Sequence, residues 1–234
     1  MTINSLLELK NEVLYWDLDL ESIDSSYFAY FYQSISDQDR TRASSFAKEK
    51  DRNLFIAAHF ALDSILKDIF QIPPIVLVDQ YGKPFIKDHP IQFNISHTEN
   101  RVLLGFSQQA IGIDIEKIIA LPDLDLLIEY SMHPDEIYFL NVQEPLQKLQ
   151  LFYRLWTKKE ALVKAMGIGL GKELSSFTLQ STLEDDSWNA YEIAINERYS
   201  AAIATQISCC SIAGYQLTLT PSGLDERSLS RLIR

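Results

Sequence analysis

Asp114 and Glu116 lie two residues apart in the run Ile111-Gly112-Ile113-Asp114-Ile115-Glu116. Side chains alternate along a strand, so both carboxylates face one way, one pleat apart, while Ile111, Ile113 and Ile115 face the other. Two hard oxygen donors that close suit Mg2+, which takes one or two carboxylates and completes its octahedron with water and phosphate oxygens. An edge strand with an ordinary polar face gives the same alternation. A second group is Trp156-Thr157-Lys158-Lys159-Glu160-Ala161-Leu162-Val163-Lys164. On a helix Trp156, Glu160 and Lys164 share a face. That spacing fits either a surface ion pair or a third metal ligand, Glu160, beside a lysine that meets a phosphate oxygen.

Phe93-Asn94-Ile95-Ser96-His97 brings a serine next to a histidine. Neighbours on a regular strand point to opposite faces, and no G-x-S-x-G elbow is present, so a Ser–His nucleophilic pair is disfavoured. Hydrogen bonding to an anion is the easier chemistry for both. Lys83, between Gly82 and Pro84, fits a phosphate contact or a simple turn lysine. His59, His89 and His133 show no zinc-ligand spacing. The glycines from Gly167 to Gly171 follow a helix instead of opening one and lack Gly-Lys-Ser/Thr, which excludes a phosphate-binding P-loop.

The elements that must position these residues read as follows. Val13–Leu20 is a strand, and helices cover Ser25–Ile35 and Arg52–Phe70. The charged stretch Ser36–Lys50 between them reads as a solvated face. Short strands follow at Ile75–Val78, Phe93–His97, Val102–Phe106 and Ile111–Glu116, the middle two as a hairpin across Thr98-Glu99-Asn100. A junction falls at Ala120–Asp125. Helices then cover Asp123–Met132, Pro134–Leu140 and Pro145–Met166, the last stopped by glycine. Strands are expected at Phe177–Gln180, Trp188–Ile195, Tyr199–Ala204 and Ile212–Leu219. The order predicts an α+β protein of two similarly built halves, residues 1–118 and 119–234.

The 234 residues are 47% hydrophobic and 23% charged, enough for a sizeable core without metal or disulfide staples. Cys209 and Cys210 are adjacent, which argues against a disulfide between them and for a reducing, cytoplasmic setting. No apolar run is long enough to span a bilayer. The net charge of −11 argues against nucleic-acid binding, which needs a basic face.

Taken together and in order, Gly82-Lys83-Pro84, Phe93–His97, Gly112–Glu116 and Trp156–Ala161 with Lys164 resemble the Sfp-type 4′-phosphopantetheinyl transferases. The likeness runs from about Tyr81 to Leu170. It implies a monomer of two pseudo-symmetric α+β halves with coenzyme A in the cleft between them. It also implies Mg2+ held by Asp114, Glu116 and Glu160 against the CoA pyrophosphate. Lys159 and Lys164 would then lie along the phosphates. Arg42, Lys83, Ser96 and His97 would bind the nucleotide end, with Arg42 toward its 3′-phosphate. The implied reaction moves the phosphopantetheine arm onto a serine of an acyl or peptidyl carrier protein and releases 3′,5′-ADP, with Glu160 as base and Lys164 stabilising the leaving group. The family usually carries an arginine inside the first long helix, and here Leu54 and Asp63 stand at the corresponding positions. Two rivals remain: a Mg2+-dependent nucleotide phosphohydrolase, and a carrier-protein-binding module without activity.

Overall fold

The structure, a computed structural model, describes residues 12–168, 174–184, 187–206 and 211–225. Cys209, Cys210, Gly169–Gly171 and the arginines after residue 225 lie outside the described residues.

Strand β1 (Glu12–Asp19) is followed by helices α1 (Tyr27–Ser34), α2 (Asp37–Ser44) and α3 (Glu49–Ser64). Helix α3 runs on into a π turn, Ile65–Ile69. Strands β2 (Val76–Val78) and β3 (Pro84–Ile86) form a small ribbon. Next come the hairpin of β4 (Gln92–Thr98) and β5 (Arg101–Ser107), then β6 (Ile111–Lys117). Helices α4 (Leu124–Ser131), α5 (Pro134–Asn141), α6 (Pro145–Met166) and α7 (Leu179–Leu183) follow. Strands β7 (Asn189–Glu192), β8 (Tyr199–Thr205) and β9 (Ser211–Leu217) complete the main sheets. The class is α+β, as the order of elements predicts.

One sheet has the order β4-β5-β1-β9, with β1 antiparallel to β5 and parallel to β9. The other is the antiparallel set β6-β8-β7. The sheets therefore interleave across residue 118: β6 pairs forward with β8, and β9 returns to pair with β1.

Period-two side-chain alternation explains the layering. Leu14, Trp16 and Leu18 of β1 enter a core with Phe31 of α1 and Leu54, Ala58 and Leu62 of α3. Trp16 anchors that core, stacked on Tyr215 at 5.3 Å between centroids and edge-on to Phe106 at 5.5 Å. On the opposite face of β1, Val13 and Tyr15 join Ile111, Ile113 and Ile115 of β6 and Ile203 of β8 between the two sheets. The far face of the second sheet presents Ala202 and Ala204, which pack against Ala161, Leu162 and Ala165 of α6. The layers are thus helix, sheet, sheet, helix.

Three local expectations change. The charged stretch after Ser36 contains helix α2, because Ser36 accepts the Asp39 N–H at 3.1 Å and caps it; with Ala43 alone buried, the helix has almost no apolar face to betray it. Phe177–Gln180 is not a strand. Thr178 Oγ1 accepts the Ser181 N–H at 3.0 Å and starts α7 there, and four alternating residues are too few for their period to decide between strand and helix. The strand expected over Trp188–Ile195 is confined to Asn189–Glu192 at the sheet edge. Helix α6 does stop at glycine: Gly167 takes φ 68°, and its N–H returns to Val163 O at 3.1 Å.

Gly112 sets the spacing between β6 and α6. A Cβ there would lie 2.0 Å from the Ala161 carbonyl oxygen and 2.4 Å from the Ala165 nitrogen, both backbone atoms. Gly112→Ala must therefore push strand and helix apart, and we expect a loss on the order of 3 kcal/mol, read as a lower urea midpoint at unchanged m-value.

Candidate active site

Strands β4 and β6 meet where the two sheets join. One edge of β6 pairs with β8, and in an antiparallel pair alternate N–H groups point away from the partner. Side chains of β4 take up those outward donors. Asn94 Oδ1 accepts the Ile113 N–H at 2.8 Å, Ser96 Oγ the Ile115 N–H at 3.4 Å and Thr98 Oγ1 the Lys117 N–H at 3.5 Å. Two of the three also hold the carboxylates of β6. Ser96 Oγ donates to Asp114 Oδ1 at 2.9 Å, and Thr98 Oγ1 donates to Glu116 Oε2 at 3.3 Å.

Across from them stands α6, brought close by Gly112. Lys164 Nζ donates to Asp114 Oδ1 at 2.6 Å, to Ser96 Oγ at 3.1 Å and to Ile113 O at 3.4 Å. The ion pair of Lys164 thus reaches over to β6 instead of staying along the helix. Ile95, Ser96, His97, Asp114, Glu116, Trp156, Glu160 and Lys164 line one cleft of about 300 Å³.

Three carboxylates facing one ammonium leave the cleft electrostatically unsatisfied. Asp114 is 3% exposed, and its Oδ2 has no hydrogen-bond partner. Burial, then the neighbouring charge of Asp114, pushes Glu116 up to about 7. Burial and Asp114 also raise Glu160, against the pull of Lys164. Partial desolvation, although the residue is exposed overall, and then the Lys164 charge lower His97, which favours the neutral imidazole, able to offer an anion a hydrogen bond. Among the described residues no three such side chains form a closed metal cage. The donor set nevertheless fits a hard divalent cation, which needs only one or two carboxylates when phosphate and water supply the rest.

Three expected contributors are not in the cleft. Lys159 is fully buried on another face of α6, since neighbours on a helix are turned by about 100°. Its ammonium pairs with Glu136, donates to Phe177 O at 2.8 Å and lies 4.8 Å from the Phe177 ring centroid. Glu136 also accepts the Leu179 N–H at 2.8 Å and the His133 N–H at 3.2 Å. Lys159 therefore ties α5 and the start of α7 to α6 and does not lie along the cleft. The ammonium of Lys83 is spent on the carbonyls at the end of α6. Arg42 is exposed, 5.3 Å over the Phe55 ring. Thr98, Asn94 and Glu136 were not singled out from sequence, although the polar alternation of Asn94, Ser96 and Thr98 against Phe93 and Ile95 is a readable sign.

The profile of the 4′-phosphopantetheinyl transferase superfamily matches residues 110–220, from the start of β6 to the strand after β9. The chain is 30% identical over 173 residues to the 4′-phosphopantetheinyl transferase Sfp of Bacillus subtilis (strain 168), covering 71% of this chain and 74% of that protein. The chain belongs to the 4′-phosphopantetheinyl transferase superfamily. It is also 26% identical over 223 residues to the 4′-phosphopantetheinyl transferase gsp of Aneurinibacillus migulanus, over 90% of each chain. A Nostoc relative, 4′-phosphopantetheinyl transferase HetI, is 29% identical over 86% of this chain and 90% of its own. The superfamily match contains Asp114, Glu116, Glu160 and Lys164, whereas Ser96 and His97 precede it. No described helix of this transferase is long and apolar enough to cross a membrane.

Two predictions test the electrostatics. A raised carboxyl pKa means that the folded state binds the proton more tightly than the unfolded chain does. Glu116 therefore adds stability below its unfolded pKa, and that stability is lost as pH rises through about 7. In EDTA near pH 8, Glu116→Gln is expected to be more stable than wild type by about 2 kcal/mol, a gain that vanishes near pH 4 in thermal melts. Lys159→Met strands Glu136 without its counter-charge and is expected to cost about 3–5 kcal/mol, largely recovered by adding Glu136→Gln. A lysine on the phosphates would instead weaken CoA binding at unchanged stability.

Proposed function

We propose that this chain transfers the 4′-phosphopantetheine arm of coenzyme A to a serine hydroxyl of an apo acyl or peptidyl carrier protein, releasing 3′,5′-ADP. The observation that carries the reading is the convergence of Asp114, Glu116, Glu160 and Lys164 on one cleft in a member of this superfamily. The curated relatives named for the same transfer support it over most of the chain's length.

Asp114, Glu116 and Glu160 would hold Mg2+, whose charge, when bound, offsets that of the CoA pyrophosphate. Residues 1–118 supply Ser96, His97, Asp114 and Glu116, and residues 119–234 supply Glu160 and Lys164, so the two proposed halves form opposite walls. Neutral His97 donates a hydrogen bond to a phosphate oxygen near the nucleotide end. Ser96 donates to the Asp114 carboxylate and accepts a hydrogen bond from the Lys164 ammonium, which keeps both walls in register.

Glu160 takes the proton of the carrier serine. The serine oxygen forms a bond to the pantetheine-bearing phosphorus, and the phosphoanhydride bond to the nucleotide breaks. Lys164 stabilises the negative charge that gathers on departing 3′,5′-ADP. The same reading takes the protein as a cytoplasmic monomer whose acidic surface docks an acidic carrier through an apolar or locally basic patch.

The test is intact mass spectrometry of apo-carrier incubated with the protein, CoA and Mg2+. Addition of one phosphopantetheine, abolished by EDTA, is the expected result. Glu160→Gln should lower the rate by about 100-fold or more while CoA still binds. Phosphate release from nucleotides without CoA would point to a hydrolase, and carrier binding without any mass gain to an inactive module.

A further inference from the structure

Lys83 lies in a tight turn. Asp79 Oδ1 accepts the N–H groups of Tyr81 at 2.8 Å and Lys83 at 2.9 Å, and Gly82 takes φ 86°. The turn aims the Lys83 side chain at the end of α6, 81 residues further along the chain. There Nζ donates to Lys164 O at 3.1 Å and to Ala165 O at 2.9 Å. Both are among the last carbonyls of the helix, where the regular ladder of N–H donors runs out, and Lys164 O is shared with the capping Gly167 N–H at 3.3 Å. The lysine stem passes close to the left-handed cap, since a Cβ on Gly167 would lie 3.3 Å from Lys83 Cδ. A positive charge at a helix C-terminus also meets the negative end of the helix dipole.

The residue whose carbonyl Lys83 holds is Lys164, whose own ammonium reaches Asp114 and Ser96. We propose that Lys83 is a positioning residue: by capping the last turn of α6 from the first half of the chain, it fixes the backbone from which Lys164 enters the cleft. The contact has no counterpart in a nucleotide-binding role for the side chain, because two of its three N–H bonds are committed to the helix. The proposal rests on the transferase reading for its kinetic consequence, but its structural part stands apart from activity.

The experiment compares Lys83→Met, which keeps the stem without donors, with Lys83→Arg, which restores them. Hydrogen exchange of amides 163–167 requires no activity. It should quicken by roughly tenfold in Lys83→Met and return toward wild type in Lys83→Arg. In the transfer assay, Lys83→Met should lose about tenfold in kcat with KM for CoA and the Kd for 3′,5′-ADP within about twofold of wild type, and Lys83→Arg should recover it. Should Lys83→Met fail to fold, Lys83→Gln takes its place in both measurements. Unchanged exchange, quickened exchange with kcat intact, or weakened 3′,5′-ADP binding with kcat intact each overturns the proposal. A wild-type protein that modifies no carrier would instead overturn the transferase reading and leave the exchange result standing.

Discussion

Backbone contact between β6 and α6 at Gly112 governs the rest of the structure. Ordinary helix-on-sheet packing interposes side chains; here the strand meets the helix main chain at Ala161 and Ala165 with no room for a methyl group. Ala202 and Ala204 on the neighbouring strand extend the same shallow floor. The close approach brings residues one and two pleats beyond Gly112 within reach of side chains on α6. Asp114 and Lys164 can meet at 2.6 Å because their backbones are held this near. A larger residue at position 112 would separate the two walls of the cleft before it disturbed any functional group.

The second constraint is the exposed edge of β6. A strand edge must satisfy its N–H groups, and β4 does this with Asn94, Ser96 and Thr98 instead of its own carbonyls. Side chains in place of main chain hold the two edges farther apart than a continuous ladder would and leave hydroxyls free to bond twice. Ser96 and Thr98 use that capacity on Asp114 and Glu116. The junction of the sheets and the orientation of the carboxylates are thus one hydrogen-bond network. A Ser96 substitution would disturb the fold and the cleft together.

Much of this was legible in the sequence because it follows from local periodicity. The alternation of Ile111–Glu116 placed three isoleucines on one face and two carboxylates on the other, and the structure has them so. The i, i+4, i+8 spacing of Trp156, Glu160 and Lys164 likewise put one helix face on the cleft. Helix α2 escaped because its composition is almost wholly polar, and the start of α7 escaped because Phe177 and Leu179 alternate with Thr178 and Gln180 as they would in a strand. Lys159 and Lys83 show a different limit. A family pattern says that a lysine is present, not where its flexible stem points, and only packing shows that one is clasped by Glu136 and the other caps a helix. Glu136 itself gave no sign, since its importance comes from a partner 23 residues away.

With Lys159 and Lys83 both committed elsewhere, Lys164 is the one lysine lining the described cleft, against Asp114, Glu116 and Glu160. An anion entering such a cleft meets an excess of negative charge. At about 4 Å, a single like-charge contact near a protein surface opposes it by roughly 4 kcal/mol before screening. A chain with net charge −11 adds no long-range attraction. In the proposed reaction a bound divalent ion would supply attraction for the CoA pyrophosphate beyond what Lys164 offers in the described cleft. On that reading cosubstrate binding would depend on the metal, and the crowded carboxylates would be the source of the dependence. Without the metal, burial and, to a smaller extent, the Asp114 charge raise Glu160 against the pull of Lys164, so the cleft by itself disfavours a further negative charge.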